Sequence, residues 1–133
     1  MEIGKTPSNY RLFESIYQIR RARLEEAALL TEIAHAAKRH WGYPESWIAH
    51  WQADLTITPD FIAQHEMYVA VTDEEIAGCC ALVLEDSQAV LEHMWIRPEF
   101  MGHGIGRALF TEVRDRVVDL RLTGFELSAD PNA

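Results

Sequence analysis

Helical spacing of apolar residues dominates the first half of the chain. Between Leu24 and His40, apolar positions recur every three or four residues, glutamates occupy the first turn and basic residues the last. Gly42 follows, as glycine commonly does after a helix. Two shorter helices are predicted next, one opened by Pro44 and the other capped by Thr58.

The second half of the chain reads as strands with one long helix among them. The predicted strands are 15–20, 67–72, 76–85, 88–96 and 125–129. A helical pattern covers 105–120, between the last two strands. Strands that meander before a crossover helix predict an α/β (α+β) fold, with helices flanking a mixed, mostly antiparallel sheet. A chain of 133 residues is expected to form a single domain, 1–133.

Composition narrows the classes of partner. With 48% hydrophobic and 25% charged residues the chain is typical of a globular protein, and no apolar run has the length of a membrane span. A net charge of −9 argues against nucleic acid, because phosphate contacts need local positive charge. It suits a cationic amine substrate, although solubility explains it more simply. The six histidines show no metal-ligand spacing, so no metal site is expected.

Adjacent cysteines occur in one of the predicted strands. Side chains of neighbouring strand residues point to opposite faces, so Cys79 and Cys80 are expected on different sides of the sheet. They are interpreted as buried, reduced thiols, which favours a cytoplasmic location.

A glycine-rich turn after residue 96 carries the strongest chemical signal. Gly102, Gly104 and Gly106 leave a helix start without side chains. The first turn of a helix has unpaired N–H groups and partial positive charge, so a phosphate can approach it closely. Three basic side chains flank the turn: Arg97, His103 and Arg107.

Two common phosphate-binding loops are excluded here. No Gly-Lys-Ser/Thr follows the glycines, as a Walker A loop requires, and Arg107 stands where the dinucleotide fingerprint needs glycine. A flexible turn without a ligand is the simpler alternative. The strand before the turn and the amphipathic helix after it favour an anion site.

The turn resembles the acyl-CoA loop of the GNAT superfamily of N-acetyltransferases, whose pattern is Gln/Arg-x-x-Gly-x-Gly/Ala. The matching segment is Ile96-Arg97-Pro98 followed by Met101-Gly102-His103-Gly104-Ile105-Gly106-Arg107. Met101 departs from the pattern, because the family has Gln or Arg there. The resemblance implies the GNAT fold and acetyl-CoA as cosubstrate. It assigns cofactor binding to Trp95, Ile96, Met101, Gly102, His103, Gly104, Ile105, Gly106, Arg107 and Asn132.

The same resemblance implies a catalytic base on the strand that enters the loop. Glu92 occupies that place, and a carboxylate in a half-buried strand suits removal of a proton from an ammonium group. The alternative is that Glu92 faces solvent or pairs with a basic residue. His93 is the neighbouring candidate, expected on the opposite face, with a structural role as its alternative. A backbone N–H near Ile96 is the implied donor to the acyl oxygen.

These features predict an N-acetyltransferase that moves an acetyl group from acetyl-CoA to a primary amine of a small molecule or peptide. Aromatic residues within 40–51 are interpreted either as an acceptor wall or as core. The family fold continues after its fifth strand with a helix carrying a tyrosine, whereas this sequence ends at Ala133. The alternative is therefore a noncatalytic acyl-CoA-binding module. An open edge on the last strand would also favour a homodimer.

Overall fold

A five-stranded sheet with helices on both faces forms the described part of the chain, residues 17–122 and 124–127 of the computed structural model. For residues 124–127 only the backbone is described. The elements in chain order are β1 (Gln18–Arg21), a 3-10 turn (Leu24–Glu26), α1 (Ala27–His40), α2 (Glu45–His50), α3 (Gln52–Leu55), α4 (Pro59–Gln64), β2 (Glu66–Thr72), β3 (Glu75–Glu85), β4 (Gln88–Ile96), a second 3-10 turn (Pro98–Phe100), α5 (Ile105–Asp119) and β5 (Gly124–Leu127).

The strands lie in the sheet in the order of the chain. Strands β1 to β4 pair antiparallel, and β5 returns after α5 to pair parallel with β4. A parallel pair needs a crossover connection, and α5 supplies it. The predicted α/β (α+β) class, with a mostly antiparallel mixed sheet flanked by helices, is therefore confirmed.

Local chemistry explains most element boundaries. The side chain of Thr58 accepts a hydrogen bond from the Phe61 N–H at 3.0 Å, which confirms the predicted N-cap of α4. The β2–β3 turn consists of Asp73 and Glu74, which have φ of 49° and 69°. A two-residue turn with positive φ at both positions matches the twist of the strands, so the hairpin forms without the favoured glycine. The last strand, predicted to begin at residue 125, begins at Gly124.

Two apolar layers form on the two faces of the sheet. One joins the sheet to α1–α4 and includes Leu30, Ile33, Met67, Val69, Cys79 and Trp95. The other joins it to α5 and includes Cys80, Leu82, Leu91, Ile105, Leu109 and Val113. The two cysteines are free, buried and on opposite faces, as predicted. Burial raises the pKa of the Cys79 thiol to about 12. In the described residues, no helix is both long and apolar enough to cross a membrane.

A polar network connects α5 to the start of β2. Arg116 donates to the Glu66 carboxylate from Nε at 2.9 Å and from Nη2 at 2.8 Å, and the Tyr68 hydroxyl donates to the same carboxylate at 2.6 Å. Glu66 thus receives charge-assisted hydrogen bonds from two elements. The network fixes α5, whose first turn begins at the glycine-rich loop, against the sheet.

We expect this network to make stability depend on pH. Hydrogen bonds from Arg116 and then Tyr68 hold the pKa of Glu66 below its usual value, against the opposing effect of burial. A carboxyl with a lowered pKa stabilises the fold above its unfolded-state pKa and loses that contribution as pH falls through the folded-state value. Urea unfolding at neutral pH and at roughly pH 3 should therefore show a smaller acid loss for Glu66→Gln than for the wild type. Equal losses would contradict this assignment.

Candidate functional site

The glycine-rich turn adopts a backbone that glycine alone accommodates without strain. Gly102 and Gly104 both have φ of +82°, in the left-handed region. Gly104 is also the N-cap residue of α5, and its carbonyl accepts the first helical hydrogen bond, from the Ala108 N–H at 3.1 Å. Gly104 is therefore both the last residue of the loop and the N-cap of the helix.

The start of α5 has the geometry of an anion site. The N–H groups of Ile105, Gly106 and Arg107 precede the first helical hydrogen bond, so the helix offers them no partner. A methyl group added at Gly102, Gly104 or Gly106 would meet no atom within 4 Å. No acidic residue lies in the first turn of α5. A negatively charged group can therefore reach these N–H groups, and the helix dipole favours it.

The basic side chains around the turn are arranged differently from the prediction. His103 and Arg107 are exposed beside the turn. Arg97 instead donates from Nε to the Ile76 carbonyl at 2.6 Å and lies 3.8 Å from the Glu75 carboxylate. Its charge is thus partly balanced at the β2–β3 hairpin, and Arg107 is the arginine left beside the glycines.

Met101 and Ile105 face inward. Met101 is half-buried and packs against both apolar layers, and Ile105 is 1% exposed within the α5 layer. Their side chains pack into the protein at the two ends of the turn. The groups that Met101 and Ile105 can offer a ligand are therefore those of the backbone. The predicted residue Asn132 lies outside the described residues.

β4 presents one residue with outward-facing backbone groups next to this turn. The Arg97 N–H donates to the Ala77 carbonyl at 2.8 Å, and the next pairs along are Ile96 with Gly78 and Trp95 with Cys79. In an antiparallel ladder hydrogen-bonded and non-hydrogen-bonded pairs alternate. The N–H and C=O of Ile96 therefore point away from β3, and those of Trp95 point toward Cys79.

The open side of Ile96 is the side on which β5 lies. In the described residues the pairing of β5 with β4 ends at Leu91. The backbone groups of Ile96 are thus free of β3 and lie beyond the last described β4–β5 pair. An extended amide chain placed there would continue toward the N-terminus of α5.

A β-bulge in β4 separates Ile96 from Glu92. The register shifts between Cys79 and Ala81, and His93 has φ of 56°. Bulges re-aim side chains and are common near active sites. The expectation that His93 faces away from Glu92 is wrong, because the extra residue breaks the strand alternation. Both lie on the α1–α4 face: Glu92 pairs with Ala81, and the His93 ring packs on Phe61 at 5.2 Å.

Glu92 is half-buried on this face. No lysine, arginine or histidine of residues 17–122 forms an ion pair with its carboxylate. The alternative that Glu92 pairs with a basic residue therefore finds no support in this part of the chain. The carboxylate is available as a proton acceptor.

A family model described as an acetyltransferase (GNAT) domain matches residues 63–132, more than half of the chain. The chain belongs to the GNAT acetyltransferase family. No curated protein sequence matches it. The match includes β2, β3, β4, the glycine-rich turn and α5, which are the elements that build the site.

Solved structures similar to this GNAT domain share its fold. The PaiA N-acetyltransferase of Thermoplasma acidophilum, in complex with coenzyme A, has a TM-score of 0.70 at 19% identity, over 80% of this chain and 74% of that chain. A GCN5-related N-acetyltransferase of Ralstonia eutropha also scores 0.70, at 16% identity over 86% and 84%. A GNAT family acetyltransferase of Brucella melitensis, in complex with acetyl-CoA, scores 0.64 at 22% identity over 86% and 76%.

The aromatic residues of this GNAT domain divide between surface and core. Trp47 is 53% exposed and Trp41 45%, whereas Ile48 is the buried residue of α2. Trp47, His50 and Trp51 line an open groove of about 310 Å³. The interpretation as core is therefore wrong for Trp47 and confirmed for Trp51, which is partly buried and packs against the α1–α4 layer. An acceptor wall remains a prediction.

One constellation in this GNAT domain was missed by sequence reasoning. The ammonium of Lys38 lies 4.7 Å from the ring centre of Tyr43, 4.4 Å from that of Trp51 and 5.8 Å from that of Trp95. These cation–π contacts connect the aromatic groove to β4. Nothing in the sequence signals this cluster, because the partners of Lys38 lie in three separate segments: the residues after α1, the junction of α2 and α3, and β4.

Proposed function

We propose that this GNAT domain transfers an acetyl group from acetyl-CoA to a primary amine of a small molecule or peptide. The observation that carries the proposal is the open, glycine-lined start of α5 directly after a strand with outward-facing backbone groups at Ile96. Two of the similar structures are described as complexes with coenzyme A or acetyl-CoA, which supports the same cosubstrate.

The turn would hold the pyrophosphate of the cosubstrate. The N–H groups of Ile105, Gly106 and Arg107 would donate to phosphate oxygens, with Arg107 and His103 adding positive charge. The sequence assignments of Met101, Gly102 and Gly104 to this site stay predictions. Trp95 was assigned to the pantetheine arm, but its backbone groups point toward Cys79, so Ile96 is the residue of this pair that supports the proposal. Ile96 would pair with amides of the pantetheine arm through its outward N–H and C=O.

Transfer needs a neutral amine and a stabilised acyl oxygen. Glu92 would take the proton from the ammonium, so that the amine nitrogen attacks the acyl carbon, the new C–N bond forms and the C–S bond breaks. A backbone N–H near Ile96 would donate to the oxygen as negative charge develops. The sulfur leaves with coenzyme A as a thiolate, and it is protonated by the proton that the newly acylated nitrogen releases.

A thiol-release assay with acetyl-CoA and a panel of amines tests this proposal. We expect turnover that depends on both the protein and an amine, with the acetylated product identified by mass spectrometry. Calorimetry with coenzyme A on the same preparation is the control for binding. Binding without turnover on any amine would favour the noncatalytic acyl-CoA-binding module instead, and absence of binding would contradict both.

A further inference from the structure

The side chains of His93 and Trp95 are joined by a hydrogen bond that restricts the chemistry of the histidine. Nε1 of Trp95 lies 3.0 Å from Nδ1 of His93. The indole N–H is a donor only, so the nitrogen that receives it must carry a lone pair. A neutral imidazole with an unprotonated Nδ1 carries its proton on Nε2. The contact therefore selects one of the two neutral tautomers.

The surroundings also keep this imidazole neutral. His93 is half-buried against the ring of Phe61, and desolvation lowers its pKa, with Asp54 acting in the opposite direction. Among the described residues, Cys79 and Lys38 contact this pair, Glu92 precedes His93 in β4, and His65 packs on Phe61. Protonation at Nδ1 would place an N–H against the indole N–H, which would break the hydrogen bond.

Nε2 is the nitrogen of His93 that remains for another partner. In the described residues no protein group hydrogen-bonds Nε2 of His93. The β-bulge, with φ of 56° at His93, places it on the same face as Glu92.

We infer that Trp95 holds His93 as a neutral imidazole protonated on Nε2, and that His93 serves the acyl-transfer centre as a hydrogen-bond donor and not as the base. The inference rests on the proposed function and deepens it. His93 offers a proton toward the reacting groups, and Glu92 remains the group that accepts one. Trp95 is a positioning residue that acts through His93.

Three variants of His93 separate a donor from a base. The side-chain amide of His93→Gln donates from a position close to that of Nε2 but cannot take up a proton near neutrality. It should keep turnover within about tenfold of the wild type, whereas His93→Leu should lose roughly a hundredfold, the scale of one well-placed donor. His93→Asn, whose amide is shorter, should fall nearer to His93→Leu. Coenzyme A affinity should be unchanged in all three.

The Trp95→Phe variant tests the positioning role. It keeps an aromatic ring and removes the indole N–H. We expect its kcat to fall near neutral pH, because the neutral tautomer protonated on Nδ1, which has no N–H at Nε2, becomes populated. KM for acetyl-CoA should be unchanged, since the backbone of residue 95 is retained. A Trp95→Phe enzyme with the wild-type kcat would contradict the role of the indole.

Nitrogen NMR of protein labelled at histidine reads the tautomer without any turnover. An unprotonated Nδ1 and protonated Nε2 in the wild type, changing to a mixture in Trp95→Phe, is the expected result. Protonated Nδ1 in the wild type overturns the inference, as does a His93→Gln enzyme as inactive as His93→Leu. A wild type without turnover overturns the proposed function and the donor role with it, whereas the NMR result still decides the tautomer.

Discussion

The Gly106→Glu variant should lose coenzyme A binding by about a hundredfold or more while remaining folded, because placing like charges together costs several kcal/mol. Gly106 lies inside the first turn of α5, and a side chain added there would meet no atom within 4 Å. The new carboxylate would occupy the space that phosphate needs. A glutamate at a helix N-terminus stabilises the helix itself, so the fold should not suffer.

Two matched variants isolate the charge. Gly106→Gln adds nearly the same volume without charge, and Gly106→Ala adds a methyl group that should stabilise the helix by about 0.5–1 kcal/mol. Calorimetry should rank coenzyme A affinity as wild type, Ala, Gln and then Glu. Gly104 is a poorer test position, since its φ of +82° makes any side chain strain the backbone. Unchanged affinity in folded Gly106→Glu protein would remove the phosphate site from this turn.

The Glu92→Gln variant should lower turnover by roughly two to four orders of magnitude, the usual contribution of a positioned base. Its amide keeps the size of the carboxylate but cannot accept the proton of the ammonium. Coenzyme A affinity should stay the same, because Glu92 lies on the α1–α4 face, away from the first turn of α5.

Glu85→Gln is the matched control for this variant. Glu85 is an exposed carboxylate at the end of β3, and its replacement should leave turnover unchanged. Steady-state rates across neutral pH, at saturating amine and acetyl-CoA, compare the two. Glu92→Gln enzyme that turns over at the wild-type rate would dismiss Glu92 as the base and return the question to the remaining groups on this face.

The elements could be predicted from the sequence wherever one local pattern decides them. The bounds 88–96 predicted for β4 match Gln88–Ile96, and the cap at Thr58 is present, because each depends on neighbouring residues. The glycine spacing likewise predicted the turn before α5. In each case the physical cause lies within a few residues along the chain.

The details of the site depend on contacts between distant segments. The bulge in β4 follows from its register against β3, so alternation within β4 placed His93 on the wrong face. Arg97 donates a hydrogen bond to the Ile76 carbonyl, which lies 21 residues earlier in the sequence. The exposure of Trp47 depends on Ile48 being the residue that α2 buries. None of these follows from a periodicity.

The two buried cysteines, on opposite faces of the sheet, can report local opening of the protein through their reaction with a thiol reagent. Both thiols are buried, and burial raises their pKa values, so a disulfide reagent that counts released coenzyme A should find no background from the folded protein. A slow labelling signal would instead record transient separation of a layer. In a Cys80→Ala variant, the labelling rate of Cys79 reports how fast the α1–α4 layer separates from the sheet. In a Cys79→Ala variant, the labelling rate of Cys80 reports the same for α5.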